Sequence, residues 1–224
     1  MCGRFTLRSS PKIIAAEFGL FDVPDVPPRY NIAPGQQVAV IRRLPEKNQR
    51  ELAFVKWGLI PAWADDPSIG DRMANARSET AATKPSFRKA FRSRRCLLVA
   101  DGFYEWQRTD GRKQPYYVRL KNDHPFGIAG LWERWEKGNE PIESCTILTT
   151  DANDLMKPIH ERMPVIIPPD QYDLWLDPQC QDAKKLEGLL RPFSGEMTAY
   201  QISTVVNNPA NETKKCIEPL ESLF

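Results

Sequence analysis

The sequence predicts an α+β fold: a curved, largely antiparallel or mixed β-sheet forming a barrel-like core, with short helices at its periphery. Three observations predict it. Eight short runs rich in β-branched and aromatic residues recur along the chain, each bounded by Gly, Pro, Asn or Asp. The intervals between them hold few long helical patterns, which disfavours a doubly wound parallel sheet. A length of 224 residues gives ample chain for one core, so residues 1–224 are read as a single domain.

Taken in order, Ser10 followed by Pro11 reads as a helix N-cap and first-turn proline. Ile13, Ile14 and Phe18 share a face and Gly19 is the stop, so a helix is expected over 11–19. The next segment, through Pro24, Pro27, Pro28 and Pro34, is too proline-rich for regular structure and is expected to wrap the surface, with Tyr30-Asn31-Ile32-Ala33-Pro34 at its end. Strands are expected within Val38–Ile41, Leu52–Trp57, Cys96–Ala100, Tyr116–Leu120, Phe126–Trp132, Cys145–Thr149, Val165–Ile167 and Tyr200–Ser203. Shorter helices are expected through Phe87, Ala90 and Phe91, after Pro169 with Tyr172, Trp175 and Leu176, and through Ala183, Leu186, Leu189 and Leu190. A turn is expected near Asp151–Met156. Neither an internal repeat nor a low-complexity tract interrupts this pattern.

Composition excludes several classes. Hydrophobic residues at 41% and charged residues at 27% are ordinary for a soluble globular protein, and no apolar run approaches the roughly 18 residues of a membrane helix. The start lacks the continuous apolar core of a signal peptide. Cysteines at 2, 96, 145, 180 and 216 form no Cys-x-x-Cys pair and leave an odd count, which argues against a zinc site or a disulfide framework and for a reducing cytoplasm. Cys96, Cys145 and Cys180 read as inert, Cys216 as exposed. A net charge of +2 means that any nucleic-acid affinity must come from a local patch.

Five places carry chemistry-bearing residues. In Met1-Cys2-Gly3-Arg4-Phe5 a small residue follows the initiator, so removal of Met1 by an aminopeptidase is expected to leave Cys2 as the mature amino terminus. Its thiol and amine, with ordinary pKa values of about 8.5 and about 8, are both partly nucleophilic near neutrality. An aldehyde would condense with the amine and be captured by the thiol as a thiazolidine. The alternative is a frayed end with a small buried thiol. Asn75 and Arg77, in Met73-Ala74-Asn75-Ala76-Arg77-Ser78-Glu79-Thr80, suit a held amine or sugar hydroxyl and a phosphate; the alternative is a capped turn with an Arg77–Glu79 salt bridge. Arg88, Lys89, Arg92, Arg94 and Arg95 read equally as a phosphate-backbone patch or a solvated helix face. Glu105, between Tyr104 and Trp106 after the most apolar strand, reads as a desolvated general acid or as an outward strand glutamate, since alternation would put both aromatics on the other face. His160, in Pro158-Ile159-His160-Glu161-Arg162-Met163-Pro164, reads as a proton shuttle or a structural histidine; His124 reads as an exposed loop residue.

Together these residues resemble a known family. Met1-Cys2-Gly3-Arg4-Phe5, Tyr30-Asn31-Ile32-Ala33-Pro34, Trp57-Gly58-Leu59-Ile60-Pro61-Ala62-Trp63, Asn75-Ala76-Arg77-Ser78-Glu79-Thr80, Arg94-Arg95-Cys96, Ala100-Asp101-Gly102-Phe103-Tyr104-Glu105-Trp106, Ala129-Gly130-Leu131-Trp132-Glu133 and His160-Glu161-Arg162-Met163-Pro164 match, in order, the SRAP (SOS response-associated peptidase) proteins, also described as abasic-site processing proteins. The resemblance implies the SRAP fold and a DNA-damage function. Mature Cys2 would attack the aldehyde of an abasic deoxyribose in single-stranded DNA, or at a single-strand to duplex junction, and form a thiazolidine crosslink. By the same resemblance Asn75, Glu105 and His160 join Cys2 as catalytic residues. Arg4, Arg77 and Arg162 would contact DNA; chemistry alone adds that Trp63, Trp106 or Phe103 could replace the missing base by stacking on its neighbours. No metal or other cofactor is implied; the chain is expected to act as a monomer, off the membrane, in the cytoplasm and at the nucleoid. Two other functions are open: an amino-terminal-nucleophile cysteine peptidase with autoproteolytic activity, and a non-catalytic single-stranded DNA-binding module. The tail after about residue 209 matches no motif and is read as variable.

Overall fold

Strand-forming runs of this length must bury one face and satisfy both edges, and here most of them do so by closing into a ring. The computed structural model describes residues 2–44, 46, 49–109 and 111–220. The strands are β1 (Phe5–Leu7), β2 (Arg29–Ile32), β3 (Gln37–Arg43), β4 (Arg50–Trp57), β5 (Asn75–Arg77), β6 (Arg95–Ala100), β7 (Gly102–Thr109), β8 (Arg112–Leu120), β9 (Phe126–Trp135), β10 (Ile142–Asp151), β11 (Arg162–Pro164), β12 (Ile166–Ile167) and β13 (Met197–Gln201). The helices are α1 (Pro11–Phe18), α2 (Ser78–Ala81), α3 (Arg88–Ser93), α4 (Tyr172–Leu176) and α5 (Ala183–Glu187), joined by 3-10 turns.

Strands β10, β4, β3, β6 and β9 pair in sequence and β9 returns to β10, so five strands form a closed barrel. Every step is antiparallel except β10–β4, which is parallel. Strands β5 and β11 extend from β10, and β12 from β9. A second, antiparallel sheet runs β13-β8-β7-β1-β2. The expected α+β class, curved sheet and peripheral helices are what the chain adopts. Val40, Cys96, Leu98, Ile128, Cys145 and Ile147 share one face of the barrel wall by register and are all buried.

The second sheet has two buried faces. Phe103 and Val118, opposite each other in register, pack on the main core with Cys2 and Phe5. Tyr104 and Tyr117, the next pair, face a small separate cluster with Ile202, just after β13, and with Val206 and Cys216 from the 3-10 turns of the tail. The period of two therefore assigns Glu105 to the same face as Phe103.

Helix α1 matches its sequence signals. Ser10 Oγ accepts from Ile13 N–H, Pro11 opens the helix, and Gly19 closes it in the left-handed conformation at φ 63°. Its Phe18 ring stacks on Tyr172 of α4 at 5.3 Å. The proline-rich segment departs from expectation, because Arg29–Ile32 forms β2 on the edge of the second sheet. Its register is fixed from outside: the Glu212 carboxylate accepts from the N–H groups of Tyr30 and Asn31, and the Asn31 Nδ2 hydrogens point at the carbonyls of Val206, Asn208 and Asn211. For the same reason Cys216 is buried, not exposed: the turn at Lys214–Cys216 presses it into the tyrosine cluster, where its thiol donates to Asn211 O at 3.2 Å.

Candidate active site

Strand β1 brings the start of the chain to Glu105. Phe5 pairs with Phe103 and Tyr104 N–H donates to Arg4 O at 3.0 Å. Cys2 is fully buried and within electrostatic reach of Glu105; burial pushes its thiol pKa up and the carboxylate's charge adds to the rise. Glu105 is 2% exposed, and that burial raises its pKa to about 7. The expected cause was the flanking aromatics. The desolvation comes instead from the core face, since Tyr104 and, by alternation, Trp106 point the other way.

His160 ends the turn before β11 and lines one cleft with Glu105. That cleft has a volume of about 420 Å³ and is also bounded by Trp106, Arg108, Lys113 and Asn207. His160 Nδ1 accepts from Arg162 N–H at 2.9 Å, so the neutral ring carries its proton on Nε2. Partial burial is the main cause that lowers its pKa, leaving it neutral near pH 7. A carboxyl near half protonation and a neutral imidazole thus share one cleft, the pairing that general acid–base chemistry needs.

Asn75 stands on β5, paired in parallel with Ile147 of β10. Two contacts hold it there: Trp57 Nε1–H donates to Ala74 O at 2.8 Å, and Leu59 N–H to Met73 O at 3.2 Å. Gly58 makes the second possible. Its φ of +136° and the approach of Gly70 O, 2.7 Å from where a Cβ would sit, admit no other residue without strain. The Asn75 Oδ1 is buried without a hydrogen-bond partner among the described residues, an acceptor available to an incoming amine.

The arginines divide sharply. Arg77 is exposed, and its guanidinium makes no hydrogen bond among the described residues. Glu79 does not pair with it as the sequence suggested; it takes a bidentate bond from Arg162 at 2.7 and 2.9 Å. Arg162 also reaches Asp151 and Thr149 O, and its bond to Glu79 holds that carboxyl below its usual range. The fork therefore ties the Asn75–Thr80 segment to the segment presenting His160. Arg4 donates to Asn31 Oδ1 and Val206 O at 2.9 Å. The five-cation patch shrinks to three: Arg95 is buried and bonded to five backbone carbonyls, while Arg94 pairs with buried Glu133. Arg88, Lys89 and Arg92 remain exposed beside Trp63, which is 55% exposed and lies outside the Glu105 cleft. Trp106 Nε1–H donates to Asn207 Oδ1 at 2.7 Å. Arg108, Lys113 and Asn207 were not singled out from the sequence. Asn207 arrives from a distant turn with no local signal, whereas the Asp110-Gly111 turn could have paired Arg108 with Lys113.

The family model for SOS response associated peptidase (SRAP) matches residues 1–209. The chain belongs to the SRAP family. Abasic site processing proteins YoqW and YoaM of Bacillus subtilis (strain 168) are 44% and 42% identical to it; each alignment covers 97% of this chain, and 99% and 98% of theirs. Abasic site processing protein HMCES of Gallus gallus is 33% identical over 87% of this chain and 67% of its own. A crystal structure of a protein from Bacteroides thetaiotaomicron superposes with a TM-score of 0.87 at 27% identity, covering 98% of this chain and all of that one. One from Bordetella bronchiseptica gives 0.77 at 30% identity over 90% of this chain and all of that one. Within this SRAP fold no described helix is long and apolar enough to cross a membrane.

Proposed function

We propose that this chain is a DNA-damage protein that captures the open-chain aldehyde of an abasic deoxyribose in single-stranded DNA through Cys2, once Met1 has been removed. The observation that carries this reading is the burial of Cys2 beside a carboxyl poised near pH 7, at a cleft shared with a neutral imidazole. The relatives named abasic site processing proteins supply the aldehyde.

An abasic sugar rests mainly as a closed hemiacetal. Opening it requires a proton to leave the anomeric hydroxyl and one to reach the ring oxygen, which His160 and Glu105 can exchange. The Cys2 amine, steadied by the Asn75 Oδ1, adds to the aldehyde carbon, and the carbinolamine loses water with a proton from protonated Glu105. The thiol then adds to the imine carbon while its proton passes by way of Glu105 to the nitrogen. The overall balance is aldehyde plus amine plus thiol giving thiazolidine plus water. Because burial keeps the thiol protonated, a base at this point is a requirement of the geometry. Capture by sulfur also diverts the imine from β-elimination, so the strand is shielded from cleavage. Arg77 holds a neighbouring phosphate, and Arg162 acts through the Glu79 bond by fixing the segment that presents His160.

Mixing the protein, with a free Cys2 verified by intact mass, with single-stranded DNA bearing one abasic site should give an adduct stable on a denaturing gel. Cys2→Ala should reduce it to background. A Cys2→Ala variant that crosslinks normally would remove Cys2 from the mechanism.

A further inference from the structure

The hairpin β7–β8 places Arg108 directly opposite Lys113 in antiparallel register. Like charges facing each other across a strand pair cost stability, so the arrangement needs a counter-charge. Among the described residues it has none: both side chains are exposed, and neither makes a hydrogen bond or ion pair. Arg4, Arg94, Arg95 and Arg162, by contrast, are all bonded to protein groups. Both hairpin cations line the cleft that holds Glu105 and His160. Arg108 is near enough for its charge to be felt at His160, adding to the effect of burial there.

We infer that Arg108 and Lys113 form a phosphate site that receives the DNA backbone on one side of the abasic sugar, while Arg77 receives it on the other. The inference rests on the abasic-site reading above and deepens it. An abasic nucleotide has a phosphate on each side and no base to grip, so its position in the cleft must be set by those two anions. Arg77 does not line this cleft. It projects from β5 on the barrel side and is linked to the His160 segment through Glu79 and Arg162. Two cationic positions on separate sheets, with Cys2, Glu105 and His160 served by both, define a path for a single strand across the site. The fork of Arg108 and the point charge of Lys113 can share one phosphate, as neither is committed elsewhere.

The test uses the full chain and single-stranded DNA carrying a tetrahydrofuran abasic analogue, which cannot form an adduct, so binding is read apart from chemistry. Arg108→Gln/Lys113→Gln should weaken binding about 10-fold and reduce the slope of log affinity against log salt by about 0.7, one phosphate's worth for a single strand. The charge-preserving Arg108→Lys/Lys113→Arg variant should keep the wild-type slope. Neutralising individual phosphates as methylphosphonates should reveal one position, on one side of the abasic residue, that weakens wild type and leaves the double-Gln variant unchanged. An unchanged slope in the double-Gln variant, or methylphosphonate losses equal in both proteins at every position, would overturn the inference. Failure of the abasic-site reading would be separate: a true abasic site would give no Cys2-dependent adduct with wild type, whatever the binding result.

Discussion

Asp101 and Glu105 stand four residues apart around the start of β7, both buried against the start of the chain, and the fold treats them in opposite ways. Asp101 accepts from the N–H groups of Arg8 and Ser9 and from the Ser9 hydroxyl, so its oxygens are held by protein donors and it clamps β1 to β7. Glu105 is desolvated enough that its proton is lost only near pH 7. The difference teaches that burial alone does not mark a functional carboxylate. What matters is whether desolvation outweighs the hydrogen bonds that the fold supplies to the carboxylate, as it does at Glu105.

Substitutions can break this contrast. Glu105→Gln keeps size and hydrogen bonding but cannot exchange a proton, and it should slow crosslinking at least about 100-fold and flatten its pH dependence around pH 7. A pH–rate profile in which the variant retains the wild-type inflection would place the titrating group elsewhere. The same variant reports on stability with a defined sign. The folded pKa of about 7 lies above the ordinary 4.5, so the folded state holds its proton longer, and wild type loses stability as pH rises from about 4.5 to about 7. Denaturant titrations should therefore show Glu105→Gln gaining on wild type by up to about 3 kcal/mol between pH 5 and pH 8, and a constant difference would contradict the assigned shift. Asp101→Asn should act the other way round. It should cost about 1–3 kcal/mol by weakening the clamp and leave the shape of the pH–rate profile intact. A shifted profile would mean that the two carboxylates are not separate devices.

Much of this was legible in the chain and some was not, for identifiable reasons. Helix α1 was readable because Ser10, Pro11 and Gly19 act locally, and the barrel strands because their β-branched runs are long enough to show a period. Strands β1 and β5 have three residues each, too few for any period, and β2 is made by Glu212 and Asn31 contacts that reach across the chain. In the site, Cys2, Glu105 and His160 stood out only as a motif set, since each has an ordinary alternative reading on its own. The fate of each arginine was not legible at all. Whether a guanidinium is used within the fold, as in Arg95, or left exposed, as in Arg77, depends on carbonyls and carboxylates tens of residues away.

The central claim is the bond that Cys2 forms, and mass spectrometry of the purified adduct tests it most directly. A thiazolidine predicts a mass equal to protein lacking Met1 plus abasic DNA minus one water, no gain of two hydrogens on borohydride treatment, and a Cys2 thiol that iodoacetamide cannot alkylate after denaturation. An adduct that takes up two hydrogens and leaves Cys2 open to alkylation would be a simple imine and would contradict the account.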